Sequence, residues 1–276
     1  MHISAVLIPL GIFAGMGLIF GVILAVASHI FRVKVDERVP KILEALPGAN
    51  CGGCGYSGCA ALAEAIAKGE AKPGSCNVGG APVAEKIGEI MGVAVEAPVR
   101  RRAQVMCSGT GCLAHKKYIY EGAHDCLAAV KLGGGDKMCQ SGCIGLGTCV
   151  AACSYGAISV IDGVAAVDYK KCEGCGSCVA KCPKHLIELI PYDATYWVGC
   201  KTVVSGKETR EKCDVGCISC KLCTRVCETG AIRVEGFGAK IEYDKCVSCG
   251  KCIEKCPRHI IHTGKGGLAR PVIIQQ

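Results

Sequence analysis

Residues 172–183, CEGCGSCVAKCP, and residues 246–257, CVSCGKCIEKCP, repeat one pattern of four cysteines and a proline at an interval of 74 positions. The repeat extends upstream, since shifting residues 137–187 forward by 74 positions aligns eight cysteines with cysteines. They are Cys139, Cys143, Cys149, Cys153, Cys172, Cys175, Cys178 and Cys182, which fall on Cys213, Cys217, Cys223, Cys227, Cys246, Cys249, Cys252 and Cys256. A repeat this regular indicates one structural unit used twice.

The run CxxCxxCxxxCP is typical of bacterial ferredoxins, in which three closely spaced thiolates hold one 4Fe-4S cluster and the fourth ligates the neighbouring cluster. In the second unit an upstream run of the same spacing supplies the partner cysteines. The spacing predicts two clusters there, held by Cys217, Cys220, Cys223 and Cys256 and by Cys246, Cys249, Cys252 and Cys227.

The first unit departs from this pattern at one place, because Leu146 stands where Cys220 would fall. Cys139, three residues before Cys143, is the nearest candidate to replace the missing ligand. The prediction is therefore one cluster on Cys139, Cys143, Cys149 and Cys182, and another on Cys172, Cys175, Cys178 and Cys153.

Zinc and disulfides are the alternatives for these cysteines. A structural zinc site typically takes two CxxC pairs separated by a loop, and disulfides require an oxidising compartment. The triple run followed by CP favours a cluster over both.

A different cysteine motif precedes the repeats: residues 51–59 read CGGCGYSGC, and Cys76 follows. Cys51, Cys54, Cys59 and Cys76 are enough for one more 4Fe-4S cluster, and the glycines allow backbone amides to donate to its sulfurs. Zinc remains a competing hypothesis at this motif, since its spacing is less diagnostic.

Five of the 25 cysteines remain, namely Cys107, Cys112, Cys126, Cys200 and Cys213. Cys126 and Cys200 are also 74 positions apart, and residues 105–107 resemble residues 198–200. A sixth cluster on Cys107, Cys126, Cys200 and Cys213 is one hypothesis, with Cys112 as an alternative ligand. Ordinary buried thiols are the other, so the sequence predicts five to six 4Fe-4S clusters.

Residues 3–28 contain no Lys, Arg, Asp or Glu, and at about 1.5 Å of rise per residue they could cross a hydrocarbon core of about 30 Å. We expect a single transmembrane helix; a cleaved signal peptide is the alternative. Arg32, Lys34, Arg38 and Lys41 follow it, so the positive-inside rule predicts an N-terminus outside the cell membrane and cluster domains in the cytoplasm.

This combination resembles the B subunit of the Rnf complex, a membrane-bound, ion-translocating ferredoxin:NAD oxidoreductase. The resemblance is carried by residues 46–59, LPGANCGGCGYSGC, by residues 76–80, CNVGG, and by the two ferredoxin-like units. The resemblance covers nearly the whole chain. Because the chain has two ferredoxin-like units, it resembles the long form of the family.

The resemblance implies a subunit that accepts electrons from reduced soluble ferredoxin and relays them toward NAD+ reduction, coupled to Na+ or H+ translocation. The partners it implies are other membrane and peripheral subunits, including a flavin and NAD-binding one. The alternatives are an anchored polyferredoxin serving another reductase or hydrogenase, and a zinc-rich scaffold module.

The formal net charge is +8, but each oxidised cluster with four thiolates adds about −2, so the basic balance is weak evidence for nucleic-acid binding. The runs at residues 133–135 and 264–267 lack the glycine spacing of a nucleotide site. NAD and any flavin are therefore expected on a partner, and no acid, base or nucleophile is assigned to this chain. Arg100, Arg101 and Arg102 are expected in a solvated linker; the alternatives are a position near anionic lipid and a docking patch for an acidic ferredoxin.

The predicted fold class is α+β, with one N-terminal transmembrane helix, a small 4Fe-4S domain and two tandem bacterial ferredoxin-like domains. The expected boundaries are 1–31 for the anchor, 32–98 for the first cluster domain, 99–136 for a connector with extra cysteines, 137–191 and 212–264 for the two units, 192–211 for their connector and 265–276 for a tail. Strands are expected at 157–161 and 231–235, each before a turn, and helices at 60–68 and 85–92.

Overall fold

The computed structural model describes residues 4–30, 36–95 and 98–264. Helix α1 spans Ser4–Ile30, and its side chains are described from residue 13 to residue 29. Large apolar side chains of this helix are exposed, among them Phe13, Leu18 and Leu24. In the part of the chain described in full, no helix is both long and apolar enough to cross a membrane. The membrane anchor stays a prediction, and the expected tail at 265–276 lies outside the described residues.

The N-terminal cluster domain, residues 36–95, is helical. Helix α2 spans Arg38–Ala45, α3 spans Cys59–Ala67, a 3-10 turn covers Pro73–Ser75, and α4 spans Gly80–Met91. Ile42, Leu62, Ile66 and Ile87 are fully buried between these helices. Helix α4 ends at Gly92, which adopts a left-handed conformation at φ 66° that suits glycine. Helix α3 lies where the sequence predicts it, and α4 covers most of the predicted 85–92 but begins earlier, at Gly80.

The first ferredoxin-like unit contains two antiparallel strand pairs. Strand β1 (Arg101–Val105) pairs with β4 (Ile187–Pro191), and β2 (Ile158–Ile161) pairs with β3 (Val164–Val167). The β2–β3 turn is formed by Asp162 and Gly163, both at positive φ, as a tight hairpin requires. Short helices α5 (Cys126–Lys131), α6 (Thr148–Ala151) and α7 (Ser177–Lys181) complete the unit.

The second ferredoxin-like unit repeats this arrangement. Strand β5 (Tyr196–Val198) pairs with β8 (Ile261–Thr263), and β6 (Ile232–Glu235) pairs with β7 (Gly238–Ile241). Helices α8 (Gly206–Lys212), α9 (Leu222–Arg225) and α10 (Lys251–Glu254) complete it. Strands β2 and β6, expected from composition, are both present, and the mixed helix and strand content agrees with the predicted fold class.

Both expected connectors contribute to the folded units. Residues 99–136 supply β1 and α5, and residues 192–211 supply β5 and most of α8. Strand order explains this, because β1 and β5 each close a pair with the last strand of a unit.

The expectation of a solvated arginine linker is wrong for Arg102, which is only 1% exposed. Its guanidinium donates to the carbonyls of Tyr192 at 3.1 Å and Ala194 at 2.7 Å and lies 3.5 Å from the centroid of the Tyr169 ring. The neighbouring Arg100 and Arg101 are exposed. A charged group can be buried in this way because hydrogen bonds and the ring face replace the water it loses.

The parts of the molecule are in contact with one another. The N-terminal cluster domain packs on the first unit, where the Ser177 hydroxyl donates to the Cys51 carbonyl at 2.9 Å. The two units meet around Trp197, which packs with Met106 and Ile190 and makes an edge contact with the Tyr169 ring.

Candidate metal centres

Two four-cysteine sets of the second unit surround separate cavities. One cavity is lined by Cys217, Cys220, Cys223 and Cys256, and the other by Cys227, Cys246, Cys249 and Cys252. These are the same two sets that the ferredoxin spacing predicts. The chain can form these sites locally because Lys221 and Gly250, at φ 58° and 80°, turn it tightly just before helices α9 and α10.

The thiols of these two sites differ in their surroundings. Burial, followed by the thiolates of Cys217 and Cys256, raises the pKa of Cys223 to about 11. Burial also acts to raise the pKa of Cys227, but the Thr229 hydroxyl and nearby backbone amides outweigh it, so that pKa is lowered. Cys249 is exposed. The second site is therefore the more open one.

The first unit brings Cys153, Cys172, Cys175 and Cys178 together. Burial and the thiolates of these neighbours raise the pKa of Cys178 to about 12. Backbone amides point at two of the sulfurs, from Ala103 to Cys172 at 3.4 Å and from Ala157 to Cys153 at 3.3 Å. Amides placed in this way can donate to the sulfurs of a bound cluster.

Cys51, Cys54, Cys59 and Cys76 line one cavity of the N-terminal cluster domain. The Asn50 side chain accepts a 2.8 Å hydrogen bond from the Cys59 amide, and the Gly79 amide lies 3.4 Å from the Cys76 sulfur. Burial raises the pKa of both Cys51 and Cys76. Cys175 of the first unit lines the same cavity, so this site adjoins the next one.

A further cavity, here called the bridging cavity, lies between the two units and is lined by Cys107, Cys139, Cys200 and Cys213. Cys107 and Cys200 face each other across an isolated antiparallel bridge. The amide of Cys143 lies 3.5 Å from the Cys107 sulfur, and that of Cys217 lies 3.3 Å from the Cys200 sulfur. Burial raises the pKa of Cys213 to about 11 and also raises the pKa of Cys139 and Cys200.

The structure therefore groups two cysteines differently from the sequence prediction. Cys139, expected with Cys143, Cys149 and Cys182, lines the bridging cavity instead. Cys126, expected with Cys107, lies close to Cys149 instead. Burial is the main cause that raises the pKa of Cys149 to about 11, and the Cys126 thiolate is the next largest cause. Cys112 is exposed and is not among the residues that line the bridging cavity.

Sequence spacing alone could not reveal this exchange. Cys126 is separated from Cys143 by a helix and a turn, and only the folding of α5 against α6 brings it close to Cys149. The sequence does contain one signal for the position of Cys126. This residue follows Asp125 directly, and because Asp is a favoured helix N-cap, the pair indicates that a helix begins at Cys126. In the structure Asp125 caps helix α5, and its carboxylate accepts a hydrogen bond from the Leu127 amide at 3.0 Å.

The donor sets suit iron-sulfur clusters, which are held by four cysteine thiolates and undergo one-electron oxidation and reduction when bound. All cysteines of the described residues are free thiols. Within the same residues, no three His, Cys, Asp or Glu side chains are close enough to hold a single metal ion.

Comparison with known proteins supports iron-sulfur domains in these parts of the chain. An Fe-S cluster family model matches residues 46–78, a 4Fe-4S binding domain matches 165–188, and a 4Fe-4S dicluster domain matches 216–261. The chain is 45% identical to the B subunit of the Na(+)-translocating ferredoxin:NAD(+) oxidoreductase complex of Acetobacterium woodii, over 94% of this chain and 78% of the relative.

Two other relatives are similar over most of their length. The B subunit of the ion-translocating oxidoreductase complex of Methanosarcina acetivorans is 41% identical, over 94% of this chain and 98% of the relative. The B subunit of the proton-translocating ferredoxin:NAD(+) oxidoreductase complex of Clostridium ljungdahlii is 39% identical, over 92% and 91%.

Proposed function

Because the chain belongs to the family of B subunits of ion-translocating ferredoxin:NAD oxidoreductase complexes, we propose that it receives electrons from reduced ferredoxin at its second unit and passes them toward a subunit that reduces NAD+. It is an iron-sulfur electron-transfer subunit of such a complex. Its own residues bind and space the clusters, and the complex couples the transfer to Na+ or H+ translocation.

The observation that carries this proposal is the continuous series of cysteine sites. The cavity of the N-terminal cluster domain adjoins Cys175 of the first unit. The first unit adjoins the bridging cavity through the Cys143 amide and Cys107, and the second unit adjoins it through the Cys217 amide and Cys200. One series of sites therefore connects the two ends of the described cluster region.

Comparison of the two units supports entry of electrons at the second one. Cys175 and Cys249 occupy matching positions of the repeat, but Cys175 is 9% exposed, beneath the N-terminal cluster domain, whereas Cys249 is exposed. Val247, two residues earlier, is 67% exposed. A cluster-bearing domain covers this face in the first unit, and a ferredoxin of similar chemistry fits the open face of the second.

Substitution of Val247 tests this entry point. In the assembled complex, Val247→Glu should raise the KM for ferredoxin severalfold without changing the iron content, since a charge would enter an apolar contact. Val203→Glu is the matched control, because Val203 is 61% exposed outside this face. An unchanged KM in the Val247 variant would refute entry at the second unit.

We further propose that α1 anchors the chain in the cell membrane as a single pass, with its N-terminus outside and the cluster domains in the cytoplasm. The uncharged stretch at residues 3–28 and the exposed apolar side chains of α1 support the anchor. The basic residues Arg32, Lys34, Arg38 and Lys41, which follow the stretch, support the orientation. Protease added to intact cells should leave the cluster domains uncut. Release of the chain from membranes by alkaline carbonate would contradict the anchor.

Partner subunits are the remaining part of the proposal. A flavin and NAD-binding subunit should copurify with this chain from membranes, and the preparation should reduce NAD+ with reduced ferredoxin. Copurification with a different reductase or a hydrogenase, without NAD+ reduction, would support the polyferredoxin alternative.

A further inference from the structure

The first unit keeps the backbone of a complete ferredoxin site while lacking one of its ligands. Leu146 matches Cys220, and the next residues, Gly147 and Lys221, both adopt a left-handed conformation before helices α6 and α9. The chain therefore makes the same turn in both units. What the first unit lacks is a thiol at this corner, and another segment has to supply it if four thiolates are to hold a cluster there.

Cys126 is held at the start of helix α6 by specific hydrogen bonds. Its amide donates to the Thr148 hydroxyl at 2.7 Å, and that hydroxyl donates to the Asp125 carboxylate at 2.8 Å. Thr148 is the first residue of α6 and directly precedes Cys149. This arrangement fixes the start of α5 against α6, beside Cys149.

Cys139 is directed away from this corner into the bridging cavity. There it joins Cys107, Cys200 and Cys213, so four thiols from four separate segments surround one space. Gly109 lies beside these thiols: a β-carbon at this residue would be in ordinary contact with the Cys213 sulfur at 3.4 Å and the Cys107 sulfur at 3.8 Å, and would lie 3.1 Å from the Ala114 β-carbon.

Basic groups around the bridging cavity suit a negatively charged occupant. Lys201 and Lys212 line the cavity. Lys137, two residues before Cys139, is only 4% exposed, and its ammonium donates to the carbonyls of Gly109 at 2.7 Å and Gly163 at 3.0 Å. Four thiolates with a cluster carry about −2, and buried or nearby cations offset such a charge.

We propose that Cys126, Cys143, Cys149 and Cys182 hold one 4Fe-4S cluster, and that Cys107, Cys139, Cys200 and Cys213 hold a sixth cluster between the two units. Relative to the expectation from spacing, Cys126 and Cys139 exchange sites. This assignment of ligands depends on the cysteine geometry and not on the identity of the electron donor, so its tests are independent of ferredoxin or NAD+ turnover.

Iron and sulfide analysis of the anaerobically purified full chain in detergent is the first test. Six clusters correspond to about 24 iron atoms per chain and five to about 20. Cys112→Ala should keep the full content, because Cys112 is exposed outside the bridging cavity. A wild-type content of about 20 would overturn the sixth cluster.

Pairs of substitutions then assign the ligands. Cys139→Ala with Cys200→Ala should lose one cluster, because both residues belong to the bridging cavity, whereas Cys126→Ala with Cys200→Ala should lose two. A site that has lost one ligand can retain a three-iron cluster, which has its own paramagnetic signal. In that case the first double variant should show one three-iron cluster per chain, and the second should show two. The reverse result would overturn the exchange and favour the grouping expected from spacing.

A rescue experiment separates loss of a ligand from misfolding. Leu146→Cys restores the thiol that the second unit has at Cys220, so it should return the lost cluster to the Cys126→Ala variant. It should not rescue Cys139→Ala, whose site is elsewhere. Rescue of Cys139→Ala, or of neither variant, would overturn the assignment of Cys126.

Discussion

Substitution of Gly53 by alanine should separate the N-terminal cluster domain from the first unit. A β-carbon at Gly53 would lie 1.5 Å from the Cys175 carbonyl oxygen, and ordinary contact begins near 3.4 Å. The two surfaces would therefore have to part by about 2 Å. Because the φ of Gly53 lies outside the left-handed region, the effect comes from this contact and not from backbone strain.

The size of the effect follows from the cost of overpacking, which is about 1–3 kcal/mol and corresponds to a factor of about 5–150 in the ratio of docked to undocked protein. The Ser177 to Cys51 hydrogen bond should be lost with the contact. Hydrogen exchange near residues 51–54 and 175–177 should rise, and ferredoxin-dependent NAD+ reduction by the assembled complex should fall. Iron content should stay unchanged, since no ligand is altered.

Gly74→Ala is the matched control, because a β-carbon there would make only ordinary contacts of 3.7 Å or more within the same domain. If the two variants show equal exchange and equal turnover, the contact at Gly53 does not connect the sites, and the reasoning fails.

Three further predictions concern stability. Burial lowers the pKa of His262 to about 4 from its ordinary 6.5; the unfolded chain therefore binds the proton first, and up to about 3 kcal/mol of stability is lost as pH falls from 6.5 toward 4. Unfolding measurements at pH 7 and 5 should show about 2 kcal/mol of this loss in the wild type and none of it in His262→Gln, and equal losses would contradict it. Arg102→Met should cost about 2–4 kcal/mol in unfolding measurements, because it leaves buried carbonyls unpaired, whereas the exposed Arg101→Met should cost little; equal costs would refute the role of Arg102. Removal of iron and sulfide should collapse the cluster domains, so a native-like far-UV spectrum of the metal-free protein would contradict the expected dependence on metal.

Much of the site region could be predicted because its determinants are local. The two cavities of the second unit contain the cysteine sets that spacing predicts, since a three-residue interval fixes which thiols a tight loop can bring together. The same holds for residues 51–76, where glycine-rich turns and one short helix determine the cavity.

The remaining features depend on packing between distant segments. Cys126 reaches Cys149 only because Asp125 and Thr148 join two helices, and Cys139 reaches Cys107 only where the two units meet. In the sequence, Arg102 belongs to a run of three arginines, which predicts a solvated side chain. The register of β1 against β4 buries it instead, and backbone carbonyls accept its hydrogen bonds. No sequence pattern reveals the position of those carbonyls.

The central claim is that these cysteines hold iron-sulfur clusters in a continuous series of sites. Electron paramagnetic resonance of the anaerobically purified chain, before and after reduction by dithionite, tests it most directly. We expect a brown protein that bleaches on reduction and gains four-iron cluster signals, with magnetic interaction between neighbouring sites. A colourless protein that contains zinc and gives no signal on reduction would contradict the claim.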